Sequence, residues 1–65
     1  MPKNNIMIQH TIWYSQHKKI DSRYGTMPWI AYLSNEVNRF IKHGRLAEIR
    51  YNKNGQAALF VNKIT

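Results

Sequence analysis

Apolar and polar residues alternate at the start of the chain. The residues on one side of this alternation are apolar apart from a single histidine: Ile6, Ile8, His10, Ile12 and Tyr14. A period of two is typical of a strand that buries one face. We therefore predict a strand over residues 6–14. Residues 1–5 precede the pattern and are expected to be flexible.

The next eleven residues, SQHKKIDSRYG, are mostly polar, keep no sustained period and end in Gly25. We interpret residues 15–25 as a loop. A connection of this length is unusual in a compact domain. The segment is therefore either functional or contains another short strand, with Ile20 and Tyr24 as its anchors.

The clearest pattern lies between residues 27 and 43, where apolar residues recur at helical spacing. Six of them share an arc of about 120° on a helix: Trp29, Ile30, Leu33, Val37, Phe40 and Ile41. Thr26 is a candidate N-cap, Pro28 suits a first turn, and Gly44 suits the left-handed residue that ends a helix. We predict a helix with this stripe in the core. The opposite side is expected in solvent as a polar and basic ridge: Tyr32, Asn35, Arg39, Lys42 and His43.

The segment RYNKNGQAALFV, residues 50–61, predicts a β-hairpin, since apolar residues flank an Asn-Gly pair. A two-residue turn at Asn54 and Gly55 would mix polar and apolar residues on both faces. A three-residue loop over 53–55, with Gly55 in a left-handed bulge, pairs Asn52 with Gln56 and makes one face apolar. That face holds Ala47, Ile49, Tyr51, Ala57, Leu59 and Val61. The other holds Leu46, Glu48, Arg50, Ala58, Phe60 and Asn62.

These elements predict an α+β fold in a single domain over residues 1–65. An N-terminal strand, one amphipathic helix and a C-terminal β-hairpin would form a three-stranded antiparallel or mixed sheet covered by the helix. The pattern leaves the strand order open. A chain of 65 residues without cysteine has a thin core and no disulfide to support it. A homodimer is therefore an expected source of further stability.

The charge balance indicates which class of partner the protein binds. Ten Lys and Arg against three acidic residues give a net charge of +7, which attracts polyanions, nucleic acid first among them, although charge also serves solubility. The sequence contains neither a signal-peptide pattern nor an apolar run long enough to cross a bilayer. The absence of cysteine fits a reducing compartment. We expect a cytoplasmic protein with no membrane partner.

Catalytic and metal-binding motifs are weak in this sequence. His10, His17 and His43 lack ligand spacing, and no glycine-rich phosphate loop or nucleophile motif occurs. We therefore expect a non-enzymatic protein with no cofactor and no metal. One enzymatic alternative is a metal-free ribonuclease toxin that uses His10 or His17 as acid or base. The neighbouring cations Lys18, Lys19 and Arg23 would then neutralise phosphate.

Basic residues in three separate elements form the candidate nucleic-acid site. The predicted loop, helix and hairpin contribute Lys18, Lys19, Arg23, Tyr24, Asn35, Arg39, Lys42, Arg50, Lys53 and Phe60. Lysines would bind phosphate, and Arg23 could reach a phosphate or a guanine edge. Arg50 beside Phe60 could hold a phosphate and stack on a base. In the alternative interpretation the loop is merely solvated, and Phe60 packs with Leu46 on a loop or a second subunit.

Residues 33–61 resemble the recognition helix and wing of a winged-helix DNA-binding domain: a helix closed by glycine, a strand, a basic turn and a returning strand. The resemblance covers under half of the chain. Upstream the chain departs from the family, since a strand is predicted where two helices would precede. The resemblance implies major-groove contacts and backbone contacts from the wing. The first would come from Asn35, Asn38, Arg39 and Lys42, and the second from Arg50 and Lys53.

We therefore expect a small regulatory or accessory protein that binds nucleic acid, with DNA preferred over RNA. The main alternative is an inhibitor of the kind that viruses and mobile elements encode. Such an inhibitor would dock its positive surface on an acidic host protein.

Overall fold

A computed structural model describes residues 6–63 and confirms the α+β fold class. Its elements, in chain order, are β1 (Met7–Gln9), β2 (Tyr14–Ser15), β3 (Lys19–Ser22), β4 (Gly25–Pro28), α1 (Trp29–Lys42), β5 (Ala47–Tyr51) and β6 (Gln56–Asn62). The prediction of a flexible segment over residues 1–5 lies outside the described residues. In the part of the chain that is described, no helix has both the length and the apolar character that crossing a bilayer requires.

The main sheet is built around β6. Strand β5 pairs antiparallel along one side of β6, and β1 and β2 pair antiparallel, one after the other, along its other side. The main sheet therefore has four strands, one more than predicted, because its first edge is divided between β1 and β2. The two helices that a winged-helix domain would place before its recognition helix do not occur in residues 6–28, which form strands and turns.

The prediction of a continuous strand over residues 6–14 is wrong between Gln9 and Tyr14. Gln9 lies opposite Phe60 and Tyr14 opposite Ala57, so residues 10–13 face only residues 58 and 59. The hydroxyl of Thr11 accepts a hydrogen bond from the Leu59 N–H at 3.0 Å, in place of a strand carbonyl. Residues 10–13 are two more than the residues that they oppose. Because this number is even, the side chains before and after the interruption keep the same alternation between the two faces of the sheet.

Residues 15–25 are not a loop, and the alternative of a further strand is confirmed. Strands β3 and β4 form a separate hairpin with Arg23 and Tyr24 in its turn. Ile20 is partly buried and packs against the core. Tyr24 lies in the turn rather than in a strand, and it contacts the helix.

Helix α1 begins two residues later than the prediction of 27. Thr26 does not cap it, because Thr26 belongs to β4 and its hydroxyl donates to Asp21 Oδ1 at 2.6 Å. The carbonyl of Lys18 accepts from the N–H of Trp29 at 2.7 Å, and that of Gln16 accepts from Ile30 at 3.0 Å. Main-chain acceptors therefore satisfy the helix start in place of a side chain.

The predicted end of the helix is confirmed at Gly44. This residue adopts a φ of 80°, in the left-handed region. The N–H of Arg45 then turns back to the carbonyl of Phe40 at 2.9 Å. This is the hydrogen bond that a glycine-terminated helix forms.

The core lies between α1 and β6. Its buried apolar members are Trp29, Leu33, Phe40, Ala57, Leu59 and Val61. Only Leu33 and Leu59 are large side chains with complete burial, so the core is as thin as the length predicts. Two residues depart from the predicted stripe: Ile41 is 55% exposed, and Glu36, which was not predicted to be buried, is 2% exposed.

The register of the C-terminal hairpin is confirmed. Ala47, Ile49 and Tyr51 lie opposite Val61, Leu59 and Ala57. The N–H of Asn52 donates to the carbonyl of Gln56 at 3.0 Å, and Gly55 has a φ of 76°. On the outer face, Ala58 is buried rather than exposed.

Candidate nucleic-acid interface

The structure divides the predicted site residues between the two sides of the main sheet. Arg50 and Phe60 alternate with Ile49 and Leu59, which pack toward the helix, so they lie on the other side. We call this side, with Trp13, Arg50 and Phe60, the open sheet face. The helix side carries a second group, which we call the helix–hairpin face: Arg23, Tyr24, Asn35, Asn38, Arg39 and Lys42. The predicted residues therefore do not form one continuous surface.

The helix–hairpin face contains an open depression of about 220 Å³. It is lined by Tyr24 from the β3–β4 turn and by four residues of α1: Asn35, Asn38, Arg39 and Lys42. Four of these five were predicted as site residues and Asn38 was implied by the winged-helix resemblance, although the hairpin that brings Tyr24 to the helix was not predicted. The depression thus joins two cations, two amides and one aromatic ring.

Glu36 lies beneath this depression and holds its parts together. Its carboxylate accepts hydrogen bonds from Arg39 Nε at 3.0 Å and Arg39 Nη2 at 3.1 Å. It also accepts one from the hydroxyl of Tyr24. The helix is therefore tied to the hairpin turn by a buried acid with several donors.

The charges of this cluster are set by the same contacts. Hydrogen bonds from Arg39 hold the pKa of Glu36 below its usual 4.5, against the opposing effect of burial. The bond to Glu36 raises the pKa of Tyr24, and burial raises the pKa of Tyr32. At neutral pH the cluster therefore contains a carboxylate, a guanidinium and neutral tyrosines.

Arg39 is not a freely solvated ridge residue, as the sequence suggested, because Glu36 engages one edge of its guanidinium. A guanidinium carries five N–H donors, and the two that bond Glu36 leave the others available. The Arg39 side chain remains 34% exposed. It can therefore bind an external anion from a fixed position.

Tyr32 was predicted to face solvent and instead belongs to a row of aromatic rings. Its ring stacks on Trp29 at 5.3 Å between centroids and approaches Tyr24 at 6.1 Å. Trp29 in turn meets Tyr14 of the sheet edge-on at 5.1 Å. The row packs the β3–β4 turn against the helix.

The β3–β4 hairpin and the turn before it carry the predicted cations Lys18, Lys19 and Arg23. Arg23 lines a neighbouring depression of about 370 Å³ together with Trp29 and Tyr32. Lys18 lies over the ring of Tyr14 at 5.6 Å, and Lys19 is exposed on β3. Within residues 6–63 the ion pairs are Arg39 with Glu36 and Arg50 with Glu48.

The open sheet face combines aromatic rings with one arginine. The guanidinium carbon of Arg50 lies 4.5 Å from the ring centroid of Phe60, the neighbour relation that the register implied. Trp13 approaches the same ring at 5.9 Å. Glu48, however, pairs with Arg50 on this face, so the cation is neutralised locally. Lys53 is exposed in the β5–β6 turn, away from both groups.

The structure does not bring His10 and His17 together as an acid–base pair. The ring of His10 packs on Phe40, near the end of α1, at 5.2 Å. His17 follows Gln16, whose carbonyl bonds the start of α1 at Ile30. The ten residues between Ile30 and Phe40 span about 15 Å of helix. In residues 6–63 no three His, Asp or Glu side chains are grouped to hold a metal ion.

Sequence reasoning missed Glu36 and Trp13 at these sites. Glu36 could have been found, because it follows Trp29 and Leu33 at helical spacing on the buried side of α1 and has Arg39 one turn later. Trp13 carries no comparable signal. Its neighbour Phe60 follows from the pairing of the first strand with β6, which the sequence leaves open.

Comparisons with models of protein families, with curated proteins and with solved structures found no match to this chain.

Proposed function

We propose that the protein binds nucleic acid without catalysis, with duplex DNA as its preferred partner, and that the helix–hairpin face is the contact surface. The observation that carries the proposal is the depression in which Arg39 and Lys42 meet Tyr24 and two asparagines. A cytoplasmic site of action belongs to the same proposal, because the absence of cysteine fits a reducing compartment.

Charge favours this face over the open sheet face. Arg23, Arg39 and Lys42 outnumber the two nearby carboxylates, Glu36 and Asp21, whereas Glu48 balances Arg50 on the other side of the sheet. Phosphate binding draws its free energy from the release of counterions, so it needs a local excess of cations. The helix–hairpin face supplies that excess.

The amides give the same face a means of reading bases. Asn35 and Asn38 are three residues apart on α1 and both line the depression, so they occupy one side of the helix. An asparagine amide can donate and accept at an adenine edge in the major groove. Lys42 and the free donors of Arg39 would then contact the flanking phosphates.

The test compares two charge-matched variants by fluorescence anisotropy on a labelled duplex. Arg23→Gln with Lys42→Gln removes two cations from the helix–hairpin face, and Lys53→Gln with Lys63→Gln removes two cations elsewhere. Near 0.1 M salt we expect the first variant to lose about sixtyfold in affinity, because it removes two phosphate contacts and each contributes nearly tenfold there. The second should lose much less.

Equal losses in the two variants would contradict the assignment of the face. Absence of duplex binding by the unaltered protein at low salt would contradict the function itself. In that case, docking on an acidic protein is the reading that the positive charge still supports.

A second candidate function is the binding of single-stranded nucleic acid on the open sheet face. Trp13, Phe60 and Arg50 form a contiguous group there, and such groups stack on unpaired bases. Trp29 is 6% exposed, so quenching of tryptophan fluorescence by an oligonucleotide would report on Trp13. We expect quenching that Phe60→Leu weakens; unchanged fluorescence at saturating oligonucleotide would exclude this surface.

A further inference from the structure

The outer edge of β5 carries main-chain groups that do not bond to β6. The pairing of β5 with β6 shows which residues these are. The carbonyl of Leu46 accepts from Asn62 N–H, and the N–H of Asn52 donates to Gln56. The ladder of an antiparallel pair alternates, so residues 48 and 50 also bond to β6. The main-chain groups of Ala47, Ile49 and Tyr51 therefore point away from the sheet.

Within residues 6–63, β6 is the only strand that pairs with β5. The strand AEIRY contains no proline, and its register with β6 runs without a bulge from Ala47 to Tyr51. A proline and a bulge are two of the features that keep an edge strand from pairing with another chain, and this strand has neither.

We propose that this edge is a homodimer interface, in which β5 of one copy pairs antiparallel with β5 of a second copy about a twofold axis at Ile49. Ile49 then meets Ile49, and Ala47 meets Tyr51, in both directions. Each of these residues has its N–H and carbonyl directed at those of its partner residue, so the main-chain hydrogen bonds continue from one copy to the other. The two sheets become one.

Charge selects this register among its neighbours. With the axis at Ile49, Glu48 of each copy lies opposite Arg50 of the other, at a position without main-chain hydrogen bonds, where side chains are closest. An axis at Glu48 would place two carboxylates opposite each other, and an axis at Arg50 two guanidinium groups. Opposite charges stabilise a cross-strand pair and like charges destabilise it.

Side-chain size agrees with the same register. Tyr51 is 57% exposed and lies on the helix side of the strand, as Ala47 does. Pairing Tyr51 with Ala47 of the second copy covers a large exposed ring with a small neighbour at both ends of the interface. Such reciprocal contacts are what a twofold interface requires.

The axis is perpendicular to the joined sheet, so both helices lie on the same side of it. Lys18, just before the β3–β4 hairpin, lies over Tyr14 of β2, and β2 is on the side of β6 opposite β5. The dimer is independent of the proposed function, since it forms without nucleic acid. It would nevertheless present two helix–hairpin faces in one direction.

The test is sedimentation equilibrium of the protein without nucleic acid, near 0.15 M salt, where repulsion between the two basic chains is screened beyond about 8 Å. We expect dimer at about 100 µM protein. Glu48→Arg places Arg opposite Arg twice and should raise the dissociation constant at least about tenfold. The exchange Glu48→Arg with Arg50→Glu restores both opposite-charge pairs and should restore the dimer.

Asp21→Arg is the matched control, because it adds the same charge on the distant β3–β4 hairpin and should leave the dimer intact. Far-ultraviolet circular dichroism establishes that each variant is folded. A monomeric unaltered protein at this concentration would overturn the proposal. So would an exchange variant that stays dissociated while folded, or an Asp21→Arg variant that dissociates as far as Glu48→Arg.

Discussion

Single residues join the parts of this small protein that the sheet does not connect. Glu36 accepts hydrogen bonds from Arg39 on its own helix and from Tyr24 in the β3–β4 turn. A buried carboxylate is costly without donors, and this one has them on two elements. Arg39 is fixed by the same contact, so the cluster positions the face that we propose for DNA.

The pH dependence of stability tests the role of Glu36. Its pKa is lowered on folding, so the folded protein holds this proton less readily than the unfolded chain does. The stability that results is fully present above the unfolded pKa of about 4.5 and is lost as the pH falls through the folded value. We expect the free energy of unfolding, measured with urea across the acid range, to fall less steeply in Glu36→Gln. Parallel curves for the two proteins would contradict the assignment.

At the scale of elements, α1 supplies most of the large core side chains, and its packing is tested at Leu33. This side chain is completely buried, and replacing such a leucine by alanine costs about 2 to 5 kcal/mol. A chain of this size has a total stability of only about 3 to 10 kcal/mol. We therefore expect Leu33→Ala to be partly or wholly unfolded near room temperature by thermal denaturation.

Ile41 provides the control on the same helix. It was predicted in the core stripe but is 55% exposed, and exposed substitutions usually change stability by only about 0.5 kcal/mol. Ile41→Ala should therefore unfold close to the temperature of the unaltered protein. A loss of stability in Ile41→Ala equal to that in Leu33→Ala would contradict this account, because it would mean that the helix turns the side of Ile41 toward the core.

The elements that the sequence predicted well are those whose signals are local. The register from Ala47 to Val61 follows from one glycine turn and the alternation around it, and the helix end follows from Gly44. The prediction of the helix start was wrong because Thr26 suits both a helix N-cap and a strand. In the structure it pairs with Asp21 in the β3–β4 hairpin and does not cap the helix. The sequence left a further strand in this segment open, but no local pattern reveals the contact between Tyr24 of the hairpin turn and Glu36 of the helix.

The candidate site divides in the same way. The neighbours Arg50 and Phe60 could be predicted, since both lie on the hairpin whose register was known. The pairing of Arg39 with Glu36 was missed because Glu36, which borders the apolar stripe of the helix, was assigned to neither side. The separation of the two faces was open to prediction, because the register puts Arg50 and Phe60 opposite the apolar face that the helix covers.

For the whole molecule, the distribution of charge matters more than its total. The net charge of +7 predicts attraction to polyanions in general. On the helix–hairpin face Arg23, Arg39 and Lys42 outnumber Glu36 and the neighbouring Asp21, whereas Glu48 pairs with Arg50 on the open sheet face. A duplex should therefore be bound on one side of the sheet.

The salt dependence of duplex binding tests this account most directly, because the slope of log affinity against log salt counts the phosphates neutralised, at about −0.9 each. If Arg23, Arg39 and Lys42 each contact one phosphate, we expect a slope of about −3, which Arg23→Gln with Lys42→Gln should reduce in magnitude by about 2. Lys53→Gln with Lys63→Gln should leave the slope unchanged. A slope near zero, or the same change in both variants, would contradict the account.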